Sequence, residues 1–162
     1  MLKKILLLIL VFLPGFSTFG QELYFKSLTV NDGLTQHDVS CFLQDSFGFI
    51  WIGTQKGVCR FDGHDFLPFD SHMQEFPDLS QSDEFDLFQD KEGIVWIATR
   101  DQGLYACNRK SKKFVHFSHD ELEPKSLSDD FVNFAFEDNL GNMWVSSHSH
   151  GLDLYDRSKN NF

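Results

Sequence analysis

Past residue 21 the chain reads as short apolar or alternating stretches, each cut off after a few positions by turn-forming residues. Val39 to Leu43, Phe49 to Thr54, Val58 to Phe61 and Phe66 to Phe69 are each of strand length, and each is bounded by Gly, Asp, Asn or Ser. No stretch in this region holds a 3.6-residue apolar period for the length of a helix. The pattern predicts an all-β chain built from closely spaced antiparallel strands.

The same pattern recurs. Three units, starting at Phe42, Leu87 and Ala135, carry an Asp, then a Gly, then a Trp at fixed spacing, with a second Gly after them. The residues are Asp45, Gly48, Trp51 and Gly57; Asp90, Gly93, Trp96 and Gly103; and Asp138, Gly141, Trp144 and Gly151. Every tryptophan of the chain sits in this motif, and successive tryptophans stand 45 and 48 residues apart. Such a period marks a supersecondary unit that buries its apolar face only against its neighbours. Four short strands per unit is the arithmetic of a β-propeller blade, a four-stranded antiparallel sheet packed face to face around an axis.

The motif has a mechanical reading. Asp45 to Gly48 forms a tight turn in which the carboxylate accepts backbone N–H groups and the glycine takes positive φ. Trp51 fills the gap between adjacent blades, its indole N–H reaching a polar partner near the rim. Gly57 opens the next hairpin.

On this reading the chain divides into 21–38, an N-terminal strand and lead-in; 39–70, blade one; 71–118, blade two; and 119–162, a third blade cut short in its last strand. Aromatic pairs close the units, Phe66 with Phe69 and Phe114 with Phe117, and Phe25 to Leu28 has the same spacing. That early segment is expected to complete the last blade of a closed ring. Three blades form an incomplete ring with open edges, so the sequence is expected to be the N-terminal piece of a longer protein.

Residues 1–20 stand apart. Lys3 and Lys4 precede the unbroken apolar run Ile5 to Leu13, then Pro14 and Gly15 break it, and Thr18 and Gly20 stand just before Gln21. This is the order of a secretory signal peptide cleaved between Gly20 and Gln21. The apolar run is far shorter than the roughly 20 residues of a membrane span.

The formal net charge is −10, and removing residues 1–20 takes away two lysines and no acid, giving −12. A chain this acidic does not bind nucleic acid through bulk charge. The three cysteines occupy three different repeat positions, which fits small apolar fillers of strands better than a staple or a metal site. His148 and His150 form an H-x-H pair, but no third ligand is spaced to join them, and the other units carry Gln55, Lys56, Asp101 and Gln102 at that turn. Neither a metal nor a cofactor is expected. The repeated Asp45, Asp90 and Asp138 resemble glycosidase carboxylates only superficially, because such a pair must stand about 5 to 10 Å apart. Equivalent residues of successive blades are spread around a ring. No catalytic residue is assigned.

The units D-x-x-G-x-x-W-[IV]-[GAS]-[TS], followed by G-[LV]-x-x-[YF]-D, resemble the two-component regulator propeller repeat. The first unit matches best, through Trp51-Ile52-Gly53-Thr54 and Phe61-Asp62-Gly63, and Asp32-Gly33-Leu34-Thr35-Gln36 is similar to the opening of that family after its signal peptide. Ala98, Cys107-Asn108 and Ser146-Ser147 depart from the pattern. The resemblance implies a periplasmic sensing region on the outer side of the inner membrane. In the full-length protein it would belong to a membrane-anchored, homodimeric hybrid sensor with histidine kinase, receiver and helix-turn-helix regions. The implied ligand is a small glycan released from polysaccharide, and the implied partners of these blades are the remaining blades of the ring. A propeller-type glycan-degrading hydrolase or lyase, and a protein-interaction propeller, stay open as alternatives. Turns between second and third strands offer Arg100, Asp101 and His148 as candidates for a binding face, with no ligand-binding residue assigned.

Overall fold

The computed structural model describes residues 23–68, 79, 82 and 85–162. The expected signal peptide, Phe69 and most of the link between the first two units lie outside these. Among the described residues there are three antiparallel sheets and no α-helix. The first is β1 (Val39–Gln44), β2 (Ile50–Thr54), β3 (Gly57–Phe61) and β4 (Phe66–Pro68), in that order. The second is β5 (Phe85–Gln89), β6 (Val95–Thr99), β7 (Leu104–Asn108) and β8 (Lys113–Phe117). The third has three strands, β9 (Val132–Glu137), β10 (Met143–Ser147) and β11 (Gly151–Tyr155), with β10 in the middle. β1 packs beside β5 and β5 beside β9, so the first strands converge as the inner strands of propeller blades do.

Strand alternation explains the core. Trp51 pairs with Leu43 and Arg60 across its sheet, Trp96 with Phe88 and Ala106, and Trp144 with Phe136 and Leu154. Each row therefore lies on one face, and the opposite face carries Ile50 and Ile52, Val95 and Ile97, or Met143 and Val145. Between the first two sheets Trp51 and Val58 bury against Leu87, Val95, Ile97, Tyr105 and Cys107. Between the second and third, Trp96, Leu104 and Ala106 bury against Val132, Ala135, Met143 and Val145. Trp96 also lies 5.2 Å, edge on, from the Tyr155 ring and 6.0 Å from Phe117.

The turn glycines take the backbone that the motif needs. Gly48, Gly93 and Gly141 lie at φ 88, 83 and 88°, which a β-carbon disfavours. Gly103 is doubly constrained, because its φ is 74° and a β-carbon there would stand 2.2 Å from the Phe117 carbonyl oxygen.

Residues 23–29 pair with no sheet, and Tyr24 and Phe25 are 95% and 86% exposed. The ring-closing role expected of this segment needs the edge of the last blade of the ring, which is not among the three described sheets. The chain then enters a 3-10 turn, Val30–Asp32, capped at its two ends by Thr29 and the left-handed Gly33. Leu34 beyond it is buried. Among the described residues no helix is long and apolar enough to cross a membrane.

Candidate functional site

Each motif carboxylate holds four donors. Asp45 Oδ1 accepts the Phe47 and Phe49 N–H groups at 2.9 and 3.0 Å. Its Oδ2 accepts the Trp51 indole N–H at 2.9 Å and the Arg109 guanidinium at 2.6 Å. Asp90 repeats the pattern with Glu92 and Ile94 N–H groups, Trp96 at 2.9 Å and Arg157 at 3.0 Å. In both cases the arginine follows the third strand of the next sheet, so each sheet closes the carboxylate of the one before. Arg109 also lies over the Phe49 and Phe47 rings at 4.4 and 5.0 Å, a cation–π arrangement.

Asp138 differs. Leu140 and Asn142 N–H groups reach Oδ1, and at Oδ2 the Asn142 side chain at 2.8 Å joins Trp144 at 3.1 Å, where the other two have arginine. The bonds from Asn142 and then Trp144 hold its pKa down at about 2. Burial pushes the Asp45 carboxyl up, but the bonds from Trp51, Arg109, Phe49 and Phe47 outweigh it and leave it below the ordinary aspartate range. A general acid or base needs a lone pair open to substrate. The Asp45 and Asp90 side chains are fully buried, and all three carboxylates are spent on turn, indole and arginine or amide donors.

The sequence candidates Arg100, Asp101 and His148 fall on the turns β6–β7 and β10–β11, at one end of the sheets. Two of them meet on Phe131, a residue that no motif marks in the sequence. The His148 ring stacks on Phe131 at 4.4 Å and 11°, and the Arg100 guanidinium lies 5.1 Å from the same ring. The His148 N–H donates to the Phe131 carbonyl at 2.9 Å. Beside this stack His150 Nδ1 is 3.3 Å from Asp129 Oδ2, and the Phe131 N–H bond, with His150, lowers the Asp129 pKa. Asp101 is exposed in its turn. The arrangement presents a guanidinium and an imidazole on a half-buried aromatic ring, with the His150–Asp129 pair beside it, a surface suited to a polar, hydrogen-bonding ligand.

His148 and His150 thus lie in a turn, each with its own partner, and no group of metal ligands forms among the described residues. Cys41, Cys59 and Cys107 are free; burial raises the Cys41 thiol to about 11 and Cys107 to about 12, so neither is a nucleophile. On the outer side of the second and third sheets an open cleft of 210 Å³ is lined by Glu92, Trp96, Asn108, Lys113, Tyr155 and Arg157.

A sequence model described as two component regulator propeller matches residues 33–56. Histidine kinase P4 of Formosa agariphila is 39% identical over 56 residues, which is 35% of this chain and 4% of that kinase. An extracellular domain from B. thetaiotaomicron, described as that of a hybrid two component system, superposes with a TM-score of 0.72 at 25% identity, over 85% of this chain and 19% of that one. A second extracellular domain from the same organism, described as that of a one component system, gives 0.59 at 25% identity over 76% of this chain and 17% of the other. The chain therefore spans a small part of the relatives it matches. Residues 33–56 are similar to the two component regulator propeller repeat, and the described sheets have the fold of propeller blades.

Proposed function

We propose that these residues form part of the extracellular sensing propeller of a two-component signalling protein, that the ligand is an oligosaccharide, and that this segment binds without catalysis. The observation that carries the reading is the likeness, at a TM-score of 0.72 over 85% of the chain, to an extracellular domain described as that of a hybrid two component system. Two further facts support it. The repeated carboxylates are saturated by structural donors, and the polar groups around Phe131 suit the hydroxyl-rich surface of a sugar. In this reading the leader in residues 1–20 takes the blades to the outer side of the inner membrane. The full-length protein then works as a membrane-anchored homodimeric sensor kinase.

Calorimetric titration of the whole extracellular region against an oligosaccharide panel, with an assay for sugar release, tests it. Saturable binding without new reducing ends is expected, and Arg100→Ala and His148→Ala should weaken it. Turnover of any of the sugars would replace sensing with catalysis. An affinity for none of them would remove the glycan.

A further inference from the structure

The rim between the first two sheets carries a guanidinium that the rim between the second and third lacks. Arg60 on β3 stands opposite Trp51, on the face that meets the second sheet; the same place is Ala106 opposite Trp96 and Leu154 opposite Trp144. The Arg60 guanidinium lies over the Phe49 ring at 4.5 Å, and Arg109 of the second sheet lies over that ring at 4.4 Å. A guanidinium stacked by its flat face keeps its edge free to donate parallel hydrogen bonds. On Arg60 that edge is unused. It makes no hydrogen bond or ion pair among the described residues; its Nε is covered without an acceptor, while its terminal nitrogens are open to solvent.

The carboxylates run the other way. At the second rim Arg157 meets Asp90 at 3.0 Å, Glu92 at 3.7 Å and, through its other terminal nitrogen, Glu137 at 3.2 Å. At the first rim Arg109 pairs with Asp45 alone among the described residues, through one nitrogen. The places of Glu92 and Glu137, two after one motif aspartate and one before the next, are Phe47 and Gln89 here. Gln89 still does the hydrogen bonding of Glu137, its Oε1 accepting the Ser46 N–H at 2.8 Å, but it brings no charge. Asp62, whose charge also reaches Arg60, spends its Oδ1 on the His64 and Asp65 N–H groups at 2.8 Å. One arginine therefore meets three carboxylates at the second rim, while two arginines share one paired carboxylate at the first. Burial, and then the charge of Arg109, pushes the Arg60 pKa down, as for a cation short of counter-charge.

We propose that the rim between the first two sheets binds one oxyanion, a carboxylate, sulfate or phosphate group held by the edge of Arg60 and attracted by Arg109. Packing alone does not call for Arg60, since Ala106 and Leu154 serve at its place in the other sheets. A neutral ligand is the poorer fit, because it leaves the second guanidinium without counter-charge. The site lies at the end of the sheets that carries the motif turns, away from the β6–β7 and β10–β11 turns around Phe131, so it does not rest on the oligosaccharide reading. A free oxyanion and an acidic group carried on a sugar offer Arg60 the same chemistry.

The Nε–H resonances of Arg60 and Arg109 in the whole chain read the binding. Sodium sulfate, phosphate, acetate and glucuronate are titrated against sodium chloride at equal ionic strength, so that general screening is held constant. A saturable shift of the Arg60 resonance in the millimolar range is expected with the oxyanions and not with chloride. Glucuronate binding about tenfold tighter than acetate would put an acidic sugar in the site, and equal affinities a free oxyanion. Arg60→Ala, which matches the second sheet, should keep the urea midpoint of the parent and weaken the sulfate response at Arg109 by about tenfold or more, the worth of a charge-assisted hydrogen bond. Phe47→Glu supplies the carboxylate of the second rim from within the chain and should weaken sulfate by about as much. The proposal is overturned by a shift that follows ionic strength alone, or by sulfate binding that either substitution leaves intact.

Discussion

At the scale of single residues, the aspartate of each motif does more than its turn requires. Removing the Asp45 carboxylate strands an indole N–H, two turn N–H groups and a guanidinium in a buried site. Asp45→Ala is therefore expected to cost about 3–5 kcal/mol. Arg109→Ala leaves the carboxylate with three donors and should cost about 1–3 kcal/mol. Urea melts of both variants check the order, and an arginine variant worse than the aspartate variant would contradict the hub. Trp96→Ala should lose about 3–5 kcal/mol as well, since the ring is 1% exposed between two sheets; a loss under about 1 kcal/mol would place it at the surface. The Asp, Gly and Trp roles were legible because they act within seven residues of one another, where spacing alone brings them together. The arginines were not, because Arg109 reaches Asp45 across 64 residues and Arg157 reaches Asp90 across 67. Only the packing of blade on blade sets those distances. The trace they leave in the sequence is faint: Asn108-Arg109 and Asp156-Arg157 at one repeat position, with Asp62-Gly63 in the first unit.

The turn as an element ties stability to acid. Asp45 and Asp138 both ionise below the ordinary aspartate range when folded, Asp138 at about 2. A carboxyl with a depressed folded value binds its proton more readily unfolded, so its contribution is complete above the unfolded value of about 3.9 and is lost as pH falls toward the folded one. Urea midpoints should hold steady from pH 7 to about pH 5 and then drop between pH 4 and 2. Asp138→Asn should flatten the lower part of that drop, and an unchanged profile in the variant would show that Asp138 carries none of it. Strand elements were legible from short β-prone runs cut off by turn residues, because the strands of a blade are only three to six residues long and tight turns join them. The segment Phe25 to Leu28 carries a strand pattern, which records only what a segment can do. Whether it pairs depends on an edge being present to receive it. Phe131 was illegible for a similar reason, since its role comes from two turns of different sheets converging on its ring.

At the scale of the molecule, the loops that carry Arg100, Asp101, His148 and His150 come from only two sheets. A face site in a ring is assembled from the same turn of many blades, and each blade supplies a few polar groups. The described residues bring one guanidinium and one imidazole onto a single aromatic ring, Phe131. Two neighbouring turns can hold only a few hydroxyls of a sugar, and the cost of immobilising it falls on those few bonds. Residues 21–162 alone are therefore expected to bind no oligosaccharide measurably and to release no sugar, while the complete extracellular region binds one. Titration of both proteins against the same panel, at matched concentration and salt, decides it. Equal affinity in the two would put the whole site on the turns around Phe131, and turnover by the short chain would make one of its carboxylates catalytic despite the donors that now occupy it.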